Sequence, residues 1–162
     1  MKVYQLKQTQ VLPITLQQAW EFFATPRNLE KITPSHLKFT ILSVSGSEKM
    51  YAGQIIRYKI QLLPFIKVNW TTEITHLQEL SYFIDEQRFG PYALWHHQHH
   101  FKEVPGGVEM TDEVHYAIPL GFIGRFANWL FVKRTLHRIF EYRLAILGKH
   151  FPTDKNSILK SA

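Results

Sequence analysis

The sequence predicts an α+β protein in which a curved antiparallel sheet of about seven strands wraps around one long C-terminal helix. Successive segments between residues 37 and 118 alternate apolar and polar side chains and are joined by short turns, as in an antiparallel meander. Residues 122–150 instead carry apolar side chains at helical spacing. Because the sheet and this helix each have one apolar surface, they can hide both surfaces by packing together.

The N-terminal elements are one strand and two short helices. Residues 2–12 alternate well enough for the strand. Thr15 and Gln18 then form a capping-box pattern, since the hydroxyl and the amide can each satisfy an orphan backbone N–H group of a first helix. Thr25-Pro26 is typical of an N-cap with proline at the first helical position, which predicts a second helix running to about Ile32. These short helices are expected to close one end of the sheet.

The remaining strands are marked by β-forming residues and by turn residues between them. Pro105-Gly106-Gly107 is typical of a tight turn, and Ser45-Gly46-Ser47 begins another. The pattern predicts strands at 37–44, 54–63, 66–76, 81–89, 93–104 and 108–118.

The last helix combines an apolar stripe with a basic face. The stripe, expected to face the sheet, consists of Phe122, Phe126, Trp129, Leu130, Leu136, Phe140, Leu144, Leu147 and Phe151. Between Gly121 and His150 there are six Lys and Arg residues and the single acid Glu141, so this segment carries a net charge of 6 − 1 = +5. Such a face can attract an anionic membrane or nucleic acid, although most such faces are only solvated.

Composition limits the domain organisation and the chemistry. Residues 1–151 are expected to form a single domain, and the polar residues 152–162 a disordered tail. The chain has no cysteine, which excludes disulfides, thiolate zinc sites and cysteine nucleophiles. The N-terminus lacks the apolar run of a signal peptide, and no run approaches the roughly 18 apolar residues of a membrane span. These features predict a cytoplasmic protein. No aromatic–basic pattern of an RNA-binding strand is present, so no nucleic-acid partner is predicted.

The segment from Phe89 to Phe101 carries the clearest functional signal. Side chains alternate faces along a strand, so Trp95, His97, His99 and Phe101 share one face, while His96, Gln98 and His100 share the other. Two imidazoles between two large aromatic rings make a wall that is apolar but can also hydrogen-bond, as an enclosed ligand site needs.

Neighbouring strands repeat this mixture of apolar and polar side chains. Phe83, Asp85 and Gln87 share a face, as do Met110, Asp112 and Tyr116. Inward-pointing carboxylates need partners, because an unpaired buried charge is costly. The candidate partners are Arg143, Arg57 and His137. The full set of candidate ligand-binding residues is Asp85, Gln87, Trp95, His97, His99, Phe101, Met110, Asp112, Tyr116, Trp129, Lys133, His137, Phe140 and Arg143.

Three roles are open for this polar set. It can be a buried network that sets strand register and helix docking, a group that orients a ligand, or a His–Asp pair that abstracts a proton from an activated carbon. A metal site would need a third ligand such as Asp85 or Asp112 beside the two same-face histidines. The HEXXH pattern is absent, and no metal or other cofactor is predicted.

The order of elements and several motifs resemble the START-like (SRPBCC) superfamily, which includes lipid-transfer domains, the birch-pollen allergen and polyketide cyclases. The likeness covers Lys2 to Phe151 and is greatest to a bacterial ligand-binding branch that includes domains of proteins labelled cell-division inhibitors. The resemblance implies a helix-grip fold with an elongated internal cavity. The residues that carry it are Phe83-Ile84-Asp85-Glu86-Gln87, Gly90-Pro91-Tyr92, Trp95–Phe101, Asp112–Tyr116, Pro119-Leu120-Gly121 and Phe140-Glu141-Tyr142-Arg143.

Three functions are compatible with this sequence. The leading hypothesis is binding of an apolar or amphipathic small molecule, such as a lipid, isoprenoid or polyketide, between the sheet and the last helix. The first alternative is a cyclase or dehydratase that uses His97 or His99 with an aspartate. The second is a module that contacts anionic lipid peripherally through the basic last helix. The sequence predicts neither the ligand nor the oligomeric state.

Overall fold

The predicted α+β architecture is confirmed by a computed structural model, which describes residues 1–63 and 66–152. Seven strands form one antiparallel sheet in the order β1-β7-β6-β5-β4-β3-β2. The strands are β1 (Tyr4–Leu12), β2 (Thr40–Val44), β3 (Ile55–Leu63), β4 (Ile66–Gln78), β5 (Tyr82–Phe89), β6 (Leu94–Val104) and β7 (Gly107–Ala117). From β2 to β7 each strand pairs with the next along the chain, and β1 returns to pair with β7. The tail predicted at 152–162 lies, from residue 153 onwards, outside the described residues.

Two short helices follow β1, as predicted, although only the first begins with a side-chain cap. Helix α1 (Leu16–Phe23) begins with the full capping box between Thr15 and Gln18, and its buried face carries Trp20 and Phe23. The second is a 3₁₀ helix (Pro26–Ile32) with proline in its first turn, followed by a 3₁₀ turn (Ser35–Leu37). Trp20 packs edge-on against Phe83 and Phe101, which anchors α1 across the concave face of β5 and β6.

The long C-terminal helix is continuous but not uniform. It consists of α2 (Gly121–Ala127), a π-helical turn (Asn128–Val132) and α3 (Lys133–His150). Helix α3 buries the side chains Leu136, Phe140, Arg143 and Leu147 against the sheet. Leu144 of the predicted stripe is only half-buried, and the polar residue Arg143 takes the inward position beside it.

The N-terminal half of the predicted apolar stripe faces solvent rather than the sheet. Phe122, Phe126, Trp129 and Leu130 are all exposed, and the inward positions are Gly124 and Asn128. A π turn contains more residues than an α turn. If the inward-facing positions of α3 are extended towards the N-terminus at 3.6 residues per turn, the expected inward positions are therefore displaced by about one residue. The residues that actually face inward lie beside them.

Helix α2 packs against the end of the sheet through a small residue and a polar residue. A Cβ atom at Gly124 would overlap the Pro119 carbonyl, so only glycine permits this close approach. The Tyr116 hydroxyl donates to Asn128 Oδ1 at 3.1 Å. The helix thus docks through a glycine and a buried asparagine, and its large apolar side chains are left outside.

The core consists of two apolar clusters on either side of a polar position. The larger one lies among α1, the 3₁₀ helices and the strands, and includes Phe101 and Met110. The smaller one includes Val114 of β7 with Leu136 and Phe140 of the last helix. Asp112 lies between Met110 and Val114 on the same face of β7 and is buried. Among the described residues, no helix is both long and apolar enough to cross a membrane.

Candidate functional site

Strand register brings the predicted acidic and imidazole side chains together. In the β5–β6 pairing Asp85 lies opposite His97, and in the β6–β7 pairing His99 lies opposite Asp112. All four side chains lie on the concave face. His97 and His99 are two residues apart on β6, so they point to the same side, and residues that pair directly across neighbouring strands also share a side. His97 and His99 are both buried, as expected for a strand face that they share with Trp95 and Phe101.

Each imidazole bridges both carboxylates. His97 Nε2 lies 3.1 Å from Asp112 Oδ1, and its Nδ1 lies 3.3 Å from Asp85 Oδ2. His99 Nε2 lies 3.0 Å from Asp85 Oδ2, and its Nδ1 lies 2.7 Å from Asp112 Oδ1. The bonds from His97 to Asp112 and from His99 to Asp85 are well aligned hydrogen bonds. The other two contacts are close but poorly aligned, and they act mainly as charge contacts.

Helix α3 completes the cluster from the opposite side. Arg143 Nη1 donates to Asp112 Oδ2 at 3.4 Å. Phe140, one turn earlier, meets His97 edge-on with ring centroids 5.7 Å apart. Phe83 stacks on His99 with centroids 4.2 Å apart. The two imidazole rings thus pack against aromatic rings. We refer to Asp85, His97, His99, Asp112 and Arg143 as the polar cluster.

The charges of the polar cluster support one another. Burial would raise the pKa of the Asp85 carboxyl, but His97 and then His99 outweigh burial and hold that pKa below its usual value. Burial likewise opposes ionisation of Asp112, but His99 and Arg143 lower its pKa well below the usual range. Burial would lower the pKa of His97, but the charge of Asp85 and the hydrogen bond with Asp112 raise it overall. The cluster therefore favours ionised carboxylates with a protonated His97.

A cavity of about 320 Å³ lies between the concave face of the sheet and the last helix. Its charged lining is the group of Asp85, His97, His99 and Arg143, which contact one another directly or through Asp112. Asp112 lies behind them and contacts them without lining the cavity. The other walls are mostly apolar, and the main contributors are Leu29, Phe39, Tyr58, Trp70, Tyr92, Trp95, Phe131, Leu136 and Ile139.

Aromatic rings organise the wall opposite the last helix. Trp70 stacks on Tyr58 with centroids 5.7 Å apart and meets Trp95 edge-on at 5.1 Å. The Tyr58 hydroxyl is 3.0 Å from Thr72 Oγ1. Burial, and then the charge of Asp85, raise the pKa of Tyr58 well above its ordinary value, so the phenol stays neutral. Trp70 Nε1 is buried and has no hydrogen-bond partner among the described residues.

The structure brings together only part of the predicted site. Asp85, Trp95, His97, His99, Phe140 and Arg143 line the cavity. Phe101, Met110 and Tyr116 are buried in the apolar clusters and do not line it. Trp129, Lys133 and His137 lie on the outer face of the last helix, because the π turn and the helical spacing direct them to solvent. Arg57 is also exposed and does not contact the carboxylates.

Gln87 has a local structural contact instead of a place in the cavity wall. Its Nε2 donates to the Tyr92 carbonyl at 2.7 Å, and its Oε1 accepts from the Tyr92 backbone N–H at 3.2 Å. Both ends of the amide are therefore used to close the turn from β5 to β6. A Cβ atom at Gly90 would overlap Gln87 Oε1, so a larger residue there would displace the amide from this clamp of two hydrogen bonds.

Several cavity residues were not singled out from the sequence. Tyr58 and Trp70 lie on predicted strands, and Phe131 and Leu136 lie on the last helix. The sequence does indicate that Trp70 faces inward, because Val68, Trp70, Thr72 and Ile74 occupy every second position and therefore share one face of the strand. That alternation shows which face is inward, but it does not distinguish a filled core from a cavity wall.

Asp85, His97 and His99 are close enough together to hold a metal ion. One ligand atom from each lies within 4.8 Å of the others. The same imidazole nitrogens are engaged by two carboxylates, and Arg143 places a further positive charge on Asp112. These contacts satisfy the cluster without a cation, since its two carboxylates already have cationic partners.

Comparisons with solved structures support the helix-grip fold. The KanY protein (ms6282) shares 16% sequence identity at a TM-score of 0.71, covering 93% of this chain and 99% of that one. The di-domain ARO/CYC BexL from the BE-7585A biosynthetic pathway shares 14% identity at a TM-score of 0.70, covering 94% of this chain and 51% of that one. The protein TTHA0849 from Thermus thermophilus shares 15% identity at a TM-score of 0.66, covering 98% of this chain and 100% of that one.

This chain therefore has the helix-grip fold that these solved structures share. No protein-family model matches the sequence, and no curated protein matches it. Likeness at this level of identity extends to the fold, and one fold can carry many functions.

Proposed function

We propose that this protein binds an apolar or amphipathic small molecule in the cavity between the sheet and the last helix. The observation that carries the proposal is the cavity itself, with aromatic walls and members of the polar cluster in its lining. Its volume of about 320 Å³ falls in the roughly 300–1,000 Å³ range of small-ligand sites. A ligand would bury its apolar body against the rings and direct one polar end towards the cluster.

Two buried hydrogen-bond donors indicate which kind of polar group on the ligand suits the site. Trp70 Nε1 and Arg143 Nε both belong to cavity-lining residues, and neither has a hydrogen-bond partner among the described residues. Both nitrogens are themselves covered by neighbouring atoms, so a ligand acceptor would reach them after a small shift of the side chain. Leaving a buried donor unpaired costs about 1–3 kcal/mol, so a ligand that offers acceptors gains by satisfying them. A carbonyl, carboxylate or phenolic oxygen is the complementary group. A bare hydrocarbon would leave both donors unpaired.

Catalysis by a His–Asp pair is the second candidate, because His97 and His99 line the cavity beside carboxylates. A general base needs a ring nitrogen within reach of the substrate proton. All four ring nitrogens of these histidines instead lie within 3.3 Å of a carboxylate oxygen. The raised pKa of His97 also favours the protonated ring, which cannot accept a proton. These contacts favour binding over catalysis.

Native mass spectrometry of the protein purified from its own host tests the proposal most directly, because a co-purifying ligand would show its mass. A second test uses the fluorescent probe 8-anilinonaphthalene-1-sulfonate. Thr135 lines the cavity from the last helix, so Thr135→Phe should fill space and abolish probe binding. Ala145→Phe, on the exposed face of the same helix, is the matched control and should leave probe binding unchanged.

The proposal would be overturned if the protein carried no co-purifying molecule and bound the probe equally well with and without Thr135→Phe. Circular dichroism of both variants checks that the fold is retained.

A further inference from the structure

The N-terminal part of the last helix carries an exposed apolar patch. Leu120 is 74% exposed, Phe122 72% and Trp129 73%, and the patch is completed by Ile123, Phe126 and Leu130. Phe126 and Trp129 contact each other with ring centroids 5.8 Å apart. Isolated exposed apolar residues are common, but a contiguous group of six large ones marks an interaction surface.

The patch occupies one face of the helix. Its helical members recur at intervals of three and four residues from Phe122 to Leu130, so they project to the same side. The opposite side of the same segment is used for packing, through Gly124 and Asn128, and for the cavity wall, through Ala127 and Phe131. The core-facing side of this segment is already occupied by other residues. The exposed apolar side chains therefore cannot be explained as core residues that are incompletely packed.

Backbone conformation also favours display of this patch. Leu120 adopts a left-handed conformation with φ of 67°, and its side chain is exposed. That conformation is strained for a bulky residue, and burial of the side chain does not compensate for it. Glycine would fit this backbone without strain, so the leucine here offers the folded monomer no evident advantage.

Positive charge surrounds the patch. Arg125, Lys133, Arg134 and Arg138 are all exposed, and the sequence from Pro119 to Phe140 contains no acidic residue. Large apolar and aromatic side chains on one face, flanked by Lys and Arg, are the arrangement of a helix that lies in a membrane interface. The basic stems can extend alongside the buried rings while their charges reach the headgroups.

We propose that this patch docks the protein onto an anionic membrane surface, with Phe122, Phe126 and Trp129 inserted among the lipids and Arg125, Lys133 and Arg134 on the headgroups. A two-fold contact between copies through the same face would oppose two sets of these cations with no acid between them. Charge therefore favours lipid over a second copy of the chain. Because the segment also lines the cavity, docking would hold the proposed ligand site next to the bilayer, a consequence that depends on the proposed function.

Sedimentation with vesicles tests the docking on the full chain. Binding should be strong to phosphatidylcholine vesicles containing about one third phosphatidylglycerol, weak to pure phosphatidylcholine, and reduced by added salt, which screens the headgroup attraction. Trp129→Ser combined with Leu130→Ser should weaken binding by about tenfold or more, since each removes a large apolar side chain from the patch. Arg125→Gln combined with Arg134→Gln should reduce binding only to the anionic vesicles.

Matched controls separate the patch from general surface effects. Leu42→Ser removes an exposed leucine from β2, and Lys102→Gln removes an exposed cation from β6, so both should bind as wild type. Leu120→Gly should weaken binding without loss of stability, because glycine adopts the left-handed backbone conformation without strain.

The proposal is overturned if wild-type protein does not bind anionic vesicles, if the patch variants bind as well as the controls, or if light scattering shows a dimer that the patch variants dissociate. Probe binding in the cavity is measured independently, so failure of docking and failure of ligand binding remain distinguishable.

Discussion

His97 lies opposite Asp85 in the β5–β6 pairing, yet its aligned hydrogen bond crosses to Asp112 on the other neighbouring strand, β7. His99 does the reverse, since it lies opposite Asp112 and hydrogen-bonds with Asp85. The two imidazoles therefore connect three strands through diagonal bonds. Arg143 adds the last helix to the same network through Asp112. The polar cluster consequently joins the two layers of the fold beside the cavity.

The first prediction is that stability depends on pH in two separate windows. The folded-state pKa of His97 is raised above 6.5, so its stabilisation is complete below that pH and is lost as pH rises through the folded-state value. The pKa values of Asp85 and Asp112 are lowered below 3.8, so their stabilisation is present above that pH and is lost on acidification. Urea unfolding from acid to alkaline pH should show greatest stability between these windows.

A histidine pair supplies the control for that profile. His97→Asn should flatten the decline in unfolding free energy above neutral pH. His76→Asn should not, because His76 is exposed and its ring hydrogen-bonds only with a threonine hydroxyl among the described residues. A decline that persists unchanged in His97→Asn would contradict the assignment.

The second prediction concerns the ion pair between Arg143 and Asp112. Asp112→Asn leaves the buried guanidinium without its carboxylate and should reduce the free energy of unfolding by about 3–5 kcal/mol. Adding Arg143→Met removes the uncompensated charge at similar side-chain volume, so the double variant should be more stable than Asp112→Asn alone. Urea denaturation of the single and double variants measures the coupling. A double variant less stable than either single variant would exclude this account.

The third prediction separates ligand recognition from folding at Trp70. Trp70→Phe removes the unpaired buried N–H group but keeps an aromatic ring in the cavity wall. Loss of an unsatisfied donor offsets part of the lost packing, so stability should change by less than about 1.5 kcal/mol. Occupancy by any co-purified ligand, read by native mass spectrometry, should fall.

Trp20→Phe is the matched control, because Trp20 is buried against Phe83 and Phe101 but does not line the cavity. It should lose stability and keep ligand occupancy. Equal occupancy in Trp70→Phe and wild type would show that the indole N–H does not contact the ligand.

The fourth prediction concerns the Gln87 clamp. Gln87→Leu removes both hydrogen bonds to the Tyr92 backbone and should cost about 1–2 kcal/mol of stability. Hydrogen exchange of the Tyr92 amide should become faster, since that N–H loses its acceptor. Gln78→Leu, at an exposed position near the end of β4, should change neither quantity. An unchanged exchange rate at Tyr92 would disprove the clamp.

The fifth prediction is that the protein, purified without an affinity tag, carries no stoichiometric transition metal. The imidazoles of His97 and His99 are engaged by carboxylates, and Arg143 disfavours an added cation. Elemental analysis by mass spectrometry checks this. One equivalent of zinc or iron would contradict it.

Local patterns in the sequence were sufficient to predict the elements and their inward faces. The capping box at Thr15 and Gln18 marks α1, and the alternation from Trp95 to Phe101 places His97 and His99 inside. Both are short-range effects, since capping depends on neighbouring backbone groups and a strand alternates its side chains with a period of two. The acidic partners could be named as candidates, because Asp85 and Asp112 lie on equivalent faces of strands that flank the Trp95–Phe101 segment.

The tertiary structure alone decided which side chains meet and which remain outside. The diagonal bonds of His97 and His99 depend on the register of three strands, which the alternation by itself does not specify. Gln87 shares the face of Asp85, but a turn five residues away takes both ends of its amide. One π turn at Asn128–Val132 moved Trp129 from the predicted inner stripe to the surface. A periodicity is a local property, whereas these outcomes depend on the relative placement of distant segments.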